Sequence, residues 1–348
     1  MRSLPPRLDL RTRAGFSLRD ARGRPLRDIR ISLTDHCNLR CTYCMPAHAF
    51  PPEHAFLPAD RLLAFEELTT LVQILAGLGV RKVKLTGGEP LGRPFLPKLV
   101  RMLRQGAPEV EIALITNGIL LAPMADDLRK AGLDRLTISL DSRDPARFAA
   151  ISGRGNQLDK VLAGLAAARR AGFDPIKINM VVIRGINDDE VVDMAQFFRR
   201  PDTILRYIEY MDVGTLNQWR RSQVVPAAEI LARLRVVADL VPITAACPGE
   251  TATRYRYADG TGEVGFIASI TQPFCGDCSR LRLSADGKLF TCLFAQSGLD
   301  IKNALRTGGA GAVHDALVDL WQRRADQYSI ERSASATHDK IEMFYIGG

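Results

Sequence analysis

Six short β-branched runs, alternating with helical stretches, constrain the fold of this chain more than any other feature. The strand candidates are Ile29–Thr34, Lys82–Gly87, Glu111–Asn117, Arg135–Asp141, Ile176–Ile183 and Thr203–Met211. Helical patterns lie between them at Asp60–Leu78, Ala122–Ala131, Leu158–Ala171 and Asp188–Arg199. Regular βα alternation predicts a parallel sheet with helices packed on it. About six units, strand first, point to a barrel or an incomplete barrel rather than an antiparallel fold, and we expect an incomplete (β/α)6 barrel of the TIM type. Chemistry on such a fold sits at the C-terminal ends of the strands. Gly87-Gly88-Glu89, Thr116-Asn117, Ser139, Asn179 and the Arg206/Glu209 pair all fall at or near such ends. After Met211 the rhythm breaks into a loop, one helix near 226–237, shorter β-like pieces with an Asp286-Gly287 hairpin turn, and a last helix near 311–323. We therefore expect an N-terminal arm over 1–28, the partial barrel over 29–220 and an α+β extension over 221–348.

The longest apolar stretch, Leu68–Val80, is too short to span a bilayer. The N-terminus carries no apolar run of signal-peptide length. A soluble cytoplasmic protein is expected, in which clustered cysteines are metal ligands or redox groups rather than disulfides. The formal charge is +8, dispersed and not gathered into a tail. Such a balance suits either an ordinary basic surface or an anionic partner, nucleic acid and phosphorylated small molecules included.

Three of the seven cysteines, Cys37, Cys41 and Cys44, fall within eight residues just after the first strand. Their i, i+4, i+7 spacing is that of one helical face. A buried apolar stripe, a zinc site and an iron–sulfur cluster are the readings open to them. Structural zinc takes four ligands, and neither His36 nor His48 is well placed to be the fourth. Three thiolates on a four-iron cube would leave one iron open to a substrate or second cofactor. A second group, Cys275, Cys278 and Cys292, repeats the count. Cys247 could complete a zinc site with it, so zinc and a second cluster both stay open there. A zinc-binding, nucleic-acid-binding protein is thus a rival from another class.

The CxxxCxxC run with Tyr43 before its last cysteine, followed after the next strand by "TGGEP" (Thr86–Pro90), resembles the radical S-adenosylmethionine superfamily. "DIRISLTDHCNLRCTYCMP", "VVIRGINDDE", "YIEYMDVG", "FCGDCSRLRLSADGKLFTCLF" and the terminal "YIGG" together resemble its GTP 3′,8-cyclase family, from about 27 to 348. The resemblance implies two [4Fe-4S] clusters, each on three cysteines: Cys37, Cys41 and Cys44 for the cluster that binds S-adenosylmethionine, and Cys275, Cys278 and Cys292 for the second. Cys247 would then be a bystander. It implies S-adenosylmethionine contacts at Tyr43, Gly88, Glu89, Ser139 and Met211, with Glu89 pairing the ammonium. It implies GTP contacts at Arg30, Lys177, Arg206, Arg280, Leu281 and Arg282.

Two positions depart from the family pattern: Lys84 stands where Arg is usual and Ile115 where Thr is usual. GTP contacts there are expected at Lys84 and, displaced, at Thr116. No GxxxxGK[ST] loop is present, so scattered cations must hold the triphosphate.

The activity implied is the first step of molybdenum cofactor biosynthesis: hydrogen abstraction from ribose C3′ and bond formation to guanine C8. A catalytic tail ending in Gly347 and Gly348 would reach back into the barrel. The implied partners are an external one-electron reductant, a second copy in a homodimer and a downstream cyclic pyranopterin monophosphate synthase, with no membrane or nucleic acid. A peptide-modifying radical enzyme with an extra C-terminal cluster is the nearest enzymatic alternative.

Overall fold

The computed structural model describes residues 17–245, 249–332 and 340–347. The six expected strands form in order: β1 (Asp28–Ser32), β2 (Lys82–Thr86), β3 (Glu111–Thr116), β4 (Arg135–Ser139), β5 (Ile176–Val182) and β6 (Thr203–Glu209). Each pairs in parallel with the next. Strict alternation decides which way their side chains point. Ile29, Ile31, Val83, Leu85, Ile112, Leu114, Ile138 and Ile178 turn outward into one continuous core. That core lies under helices α1 (Phe65–Gly77), α2 (Leu96–Gly106), α3 (Ala125–Ala131), α4 (Pro145–Ser152), α5 (Leu158–Arg170) and α6 (Val191–Phe197). The inward positions hold most of the polar and charged residues of these strands, with Ile115, Val181 and Ile208 among them.

Of these helices, α2 buries Leu96, Leu99, Val100 and Leu103 at helical spacing, while α4 is marked by its start signals. Asp144 caps α4 by accepting the Arg147 N–H at 2.7 Å, with Pro145 at the first helical position. Phe95, in the left-handed region at φ 62°, precedes α2.

The remainder of the chain holds α7 (Ala227–Arg235), α8 (Gly309–Gln322), α9 (Tyr328–Glu331) and six strands: β7 (Leu240–Ile243), β8 (Thr253–Tyr257), β9 (Glu263–Ile267), β10 (Arg280–Leu283), β11 (Lys288–Phe290) and β12 (Leu299–Asp300). It is not a separate layer. β9 joins β6 in parallel at one edge, and β10 joins β1 in parallel at the other. The sheet thus runs β12-β11-β10-β1-β2-β3-β4-β5-β6-β9-β8-β7. The expected hairpin forms between β10 and β11, with Gly287 at φ 95°. No helix among the described residues is long and apolar enough to cross a membrane.

Register places the inward side chains in rows. Arg282, Arg30 and Lys84 lie side by side across β10, β1 and β2. Ser139, Asn179 and Arg206 lie side by side across β4, β5 and β6. Lys177, two residues before Asn179, stands one level closer to the start of the strands, where it pairs with Thr137 and Ile204.

Candidate active site

The two rows face a cavity of about 1380 Å³, its open mouth included. Arg30, Lys84, Arg206, Arg280 and Arg282 supply a basic wall; Tyr43, Ser139, Asp141 and Met211 line a second part; Cys275, Cys278 and Cys292 line a third. Four buried polar atoms on the walls have no partner: Arg30 Nε, Arg206 Nε, Asn179 Oδ1 and Ser269 Oγ. Buried polar groups are normally satisfied, so these point to a polar ligand. The cations also stand together without an adequate counter-charge. Burial first, then Arg282, Arg280 and Arg206, depress the Arg30 pKa. Burial, Arg30 and Arg206 do the same to Lys84. Burial lowers Arg206 to about 10, and burial with Arg280 lowers Arg282 to about 10. A polyanion would relieve this field.

Cys37, Cys41 and Cys44 do not form a helical face. They occupy an irregular loop after β1, in which the Cys44 and Met45 N–H groups both donate to the Cys41 carbonyl, at 3.0 and 2.9 Å. Arg40, 4% exposed, shapes the loop from inside. Its Nε donates to Phe50 O at 3.0 Å and its Nη1 to Cys37 O at 2.8 Å. Burial pushes the Cys37 thiol up to about 11 and raises Cys41 and Cys44 too, with the neighbouring cysteines adding to the effect at the latter two.

Buried thiols that would repel one another as thiolates suit a cationic metal centre, whose binding drives off their protons. Among the described residues, no three His, Cys, Asp or Glu side chains converge to hold a single metal ion. Cys247, the candidate fourth zinc ligand, lies outside the described residues.

The "TGGEP" turn packs against this loop. A Cβ on Gly88 would sit 2.2 Å from the His36 carbonyl oxygen, so the close approach that requires glycine is to protein backbone rather than to a ligand. Glu89 is 2% exposed and off the cavity wall. Its oxygens accept from the Thr116 hydroxyl at 2.6 Å, the Asn117 N–H at 2.8 Å and the Leu91 N–H at 3.0 Å. This carboxylate thus ties its turn to the end of β3. Asn117 Nδ2 in turn reaches Cys37 Sγ at 4.0 Å.

Alternation along the strands turns the side chains of two expected GTP contacts away from the cavity. Ile115 faces the cavity, while Thr116 faces away and gives its hydroxyl to Glu89. Leu281, between Arg280 and Arg282, turns the other way and is 1% exposed in the core, so its side chain does not reach the cavity. Lys177 is not on the cavity wall either. Burial, Arg206 and Lys82 lower its ammonium to about 8.

Arg280 donates to Cys278 Sγ at 3.3 Å. Although burial works the other way, Arg280 and Arg324 bring the Cys278 thiol down to about 6. Burial and Asp326 instead lift Cys292 to about 11.

The tail enters between the two cysteine groups. Phe344 packs edge-on against Phe50 with ring centres 5.0 Å apart, in an apolar cluster with Met45 that touches Cys37 and Cys44. The Tyr345 hydroxyl donates to Asp286 at 2.7 Å, Ile346 is fully buried, and Arg282 donates to the Gly347 carbonyl. Gly347, at φ 69°, lies against Thr86. Gly348 lies outside the described residues.

The sequence reading assigns no role to Asp141, Ser269 or Asp326, which share the cavity. Asp141 accepts from the Tyr43 hydroxyl at 2.7 Å and from the Val181 N–H at 2.8 Å, and burial lifts its pKa to about 6. Its position two residues past Ser139 was the available signal. Ser269 and Asp326 carry none, because only the fold brings their loops to the barrel mouth.

Residues 31–198 match the model of the Radical SAM superfamily, and residues 203–330 that of Molybdenum Cofactor Synthesis C. A GTP 3′,8-cyclase of Acidothermus cellulolyticus is 50% identical, covering 95% of this chain and 99% of that relative. One from Xanthomonas campestris pv. campestris is 49% identical (95% and 97%), and one from Aquifex aeolicus 43% (95% and 100%). Among solved structures, Streptococcus suis SuiB bound to S-adenosylmethionine aligns with a TM-score of 0.61 at 14% identity, covering 89% of this chain and 68% of that one; this likeness concerns the fold alone. With this identity over nearly its whole length, the chain belongs to the GTP 3′,8-cyclase family of the radical S-adenosylmethionine superfamily.

Proposed function

We propose that the chain joins C3′ of the GTP ribose to C8 of guanine, giving (8S)-3′,8-cyclo-7,8-dihydroguanosine 5′-triphosphate, the first intermediate of molybdenum cofactor synthesis. One observation carries this reading: a single cavity is lined by six cations, two of them with unpartnered buried nitrogens, beside three cysteines and the Tyr43–Ser139–Met211 wall. A triphosphate nucleotide supplies the missing anion, and its base is then held towards Cys275, Cys278 and Cys292.

The residues fit the cofactors. Cys37, Cys41 and Cys44 would hold one [4Fe-4S] cluster, which, when reduced with S-adenosylmethionine bound, supplies a 5′-deoxyadenosyl radical. Tyr43, Ser139 and Met211 would line the S-adenosylmethionine site. Gly88 and Glu89 would shape it from behind by fixing the Asn117 and His36 backbone. Cys275, Cys278 and Cys292 would hold a second cluster. Arg30, Lys84, Arg206, Arg280 and Arg282 would neutralise the phosphates, and Lys177 would add a charge from the level below.

The 5′-deoxyadenosyl radical would take the C3′ hydrogen and leave as 5′-deoxyadenosine, the carbon radical would add to C8, and one electron from the external reductant with a proton would complete the dihydro ring. The protein's part is orientation: C3′ and C8 must be held near contact, and the tail covers the site against water.

An external one-electron reductant, a homodimer, a downstream cyclic pyranopterin monophosphate synthase and a cytoplasmic setting without nucleic acid complete the proposal. So does the division into an arm (1–28), a barrel (29–220) and an extension (221–348). The test is anaerobic incubation with reductant and S-adenosylmethionine. Release of 5′-deoxyadenosine with cyclised nucleotide should require GTP; turnover on a peptide instead would overturn the reading.

A further inference from the structure

We propose that Asp20, Arg24 and Arg324 form a positioning triad that seats the Cys275–Cys278 loop for the second iron–sulfur cluster. The inference rests on the reading of Cys275, Cys278 and Cys292 as that cluster's ligands. Arg24 Nη1 donates to the Cys275 carbonyl at 2.9 Å, and Arg324 Nη1 donates to the Cys278 carbonyl at 2.6 Å. Each cysteine of the CxxC pair is thus gripped through its own backbone by a separate guanidinium. The two arginines come from opposite ends of the chain and meet on one carboxylate. Asp20 Oδ2 accepts from Arg24 Nε at 2.6 Å and from Arg324 Nη1 at 3.3 Å. All three side chains are at most 2% exposed.

The surroundings fix the triad in place. Asp20 Oδ1 accepts the N–H groups of Arg22 and Arg24, each at 2.9 Å, which closes the "DARGR" turn around Gly23 at φ 78°. Arg24 Nη1 also donates to the Asp326 carbonyl at 2.9 Å. The Trp321 indole donates to the Arg24 carbonyl at 3.3 Å, and the Arg324 guanidinium lies 4.6 Å over that ring.

A buried ion pair is not needed to hold a fold together, since well-packed apolar residues do so at least as well. What arginine adds is a rigid fork that serves several acceptors at once. Here that fork spans a carboxylate, a ligand cysteine's carbonyl and the Asp326 carbonyl beside it. Outer-shell contacts of this kind set the orientation of metal ligands. The N-terminal arm, none of whose described residues lines the cavity, thereby acquires a role at the second cluster.

Arg24→Lys tests this, because lysine keeps the charge and loses the fork. The wild-type protein, reconstituted anaerobically, should carry about eight irons per chain, as two four-iron clusters require. Arg24→Lys should fall to about four, or keep its iron with the reduction potential of the second cluster alone displaced. S-adenosylmethionine binding should be unchanged in either case. Asp20→Asn, which preserves the Oδ1 turn, should behave in the same way. Full iron with unaltered spectra and potentials in both variants would overturn the inference. So would joint loss of iron and S-adenosylmethionine binding, which would reveal general support of the fold. About four irons in the wild type would instead remove the second-cluster reading, and this inference with it.

Discussion

The guanidinium of Arg282 donates a hydrogen bond to the carbonyl of Gly347. Arg282 stands in register with Arg30, across β10 and β1. One side chain thus reaches both the last residues of the chain and the basic wall. A Cβ at 347 would lie 2.6 Å from Thr86 Cγ2, on a backbone at φ 69°. Gly347→Leu should therefore leave both clusters and the melting temperature intact while cutting cyclisation about 10²-fold, the scale of an ångström-sized misplacement. Deleting residues 347 and 348 should do at least as much. Iron analysis and product formation, measured side by side, check this; full activity in the deletion would make the tail a dispensable end.

Upstream, the tail is tied down at Asp212, immediately after Met211. Lys340 donates to its Oδ2 at 2.7 Å, Tyr328 to the same oxygen at 2.9 Å, and Arg332 lies 2.9 Å from Oδ1. Glu342 adds a second fastening by accepting from the Thr215 N–H at 2.8 Å. Asp212→Asn should loosen this end without emptying the clusters. The expected sign is uncoupling: more 5′-deoxyadenosine per cyclised nucleotide than in the wild type, with faster hydrogen exchange over residues 340–347. An unchanged ratio with unchanged exchange would remove Asp212 from the coupling of tail to chemistry.

Much of the barrel was legible because alternation of residue type carries it. The strands β1 to β6 follow from short β-branched runs, and Arg30, Lys84, Lys177 and Arg206 stand out as single charges within them. The same rule separates Ile115 from Thr116, and Leu281 from its arginine neighbours, once the inward parity is known; family position alone assigned Thr116 and Leu281 to the substrate. The cysteine loop misled for a physical reason. Helical spacing of Cys37, Cys41 and Cys44 is equally available to a loop folded around Arg40, whose contacts with the Cys37 and Phe50 carbonyls no local pattern reveals. Nor can local pattern place Asp20 and Arg24 beside Cys275, or Tyr43 beside Asp141. Those are products of the completed sheet.

Lys177 gives a pH signature. Its ammonium, lowered to about 8 by burial and by Arg206 and Lys82, is largely protonated at pH 7 and neutral at pH 9. GTP affinity should weaken as pH rises through 8, and Lys177→Arg should flatten the profile. The stability of the unliganded protein moves the other way. The folded state gives up this proton before the unfolded state does, so the group's contribution rises with pH between about 8 and the unfolded lysine value near 10.4. Arg30→Ala should cost about 1.5–3 kcal/mol in GTP affinity for the loss of one charge-assisted contact. Affinities measured at pH 7 and pH 9 decide; a flat wild-type profile would take Lys177 out of the phosphate site.

The two cysteine groups should separate cleanly. Replacing Cys37, Cys41 and Cys44 by Ala should leave about half the iron and abolish S-adenosylmethionine cleavage. Replacing Cys275, Cys278 and Cys292 should also leave about half, yet retain slow, GTP-independent formation of 5′-deoxyadenosine. Cys247→Ala should change neither number. Loss of iron in that variant would make Cys247 a ligand and close the second site.

The most direct test uses GTP carrying deuterium at C3′. With reductant and S-adenosylmethionine under anaerobic conditions, the released 5′-deoxyadenosine should gain one deuterium, and the nucleotide product should lose it while keeping all three phosphates. Deuterium retained in the nucleotide, with unlabelled 5′-deoxyadenosine, would show that hydrogen is taken from elsewhere and contradict C3′–C8 cyclisation as the function of this site.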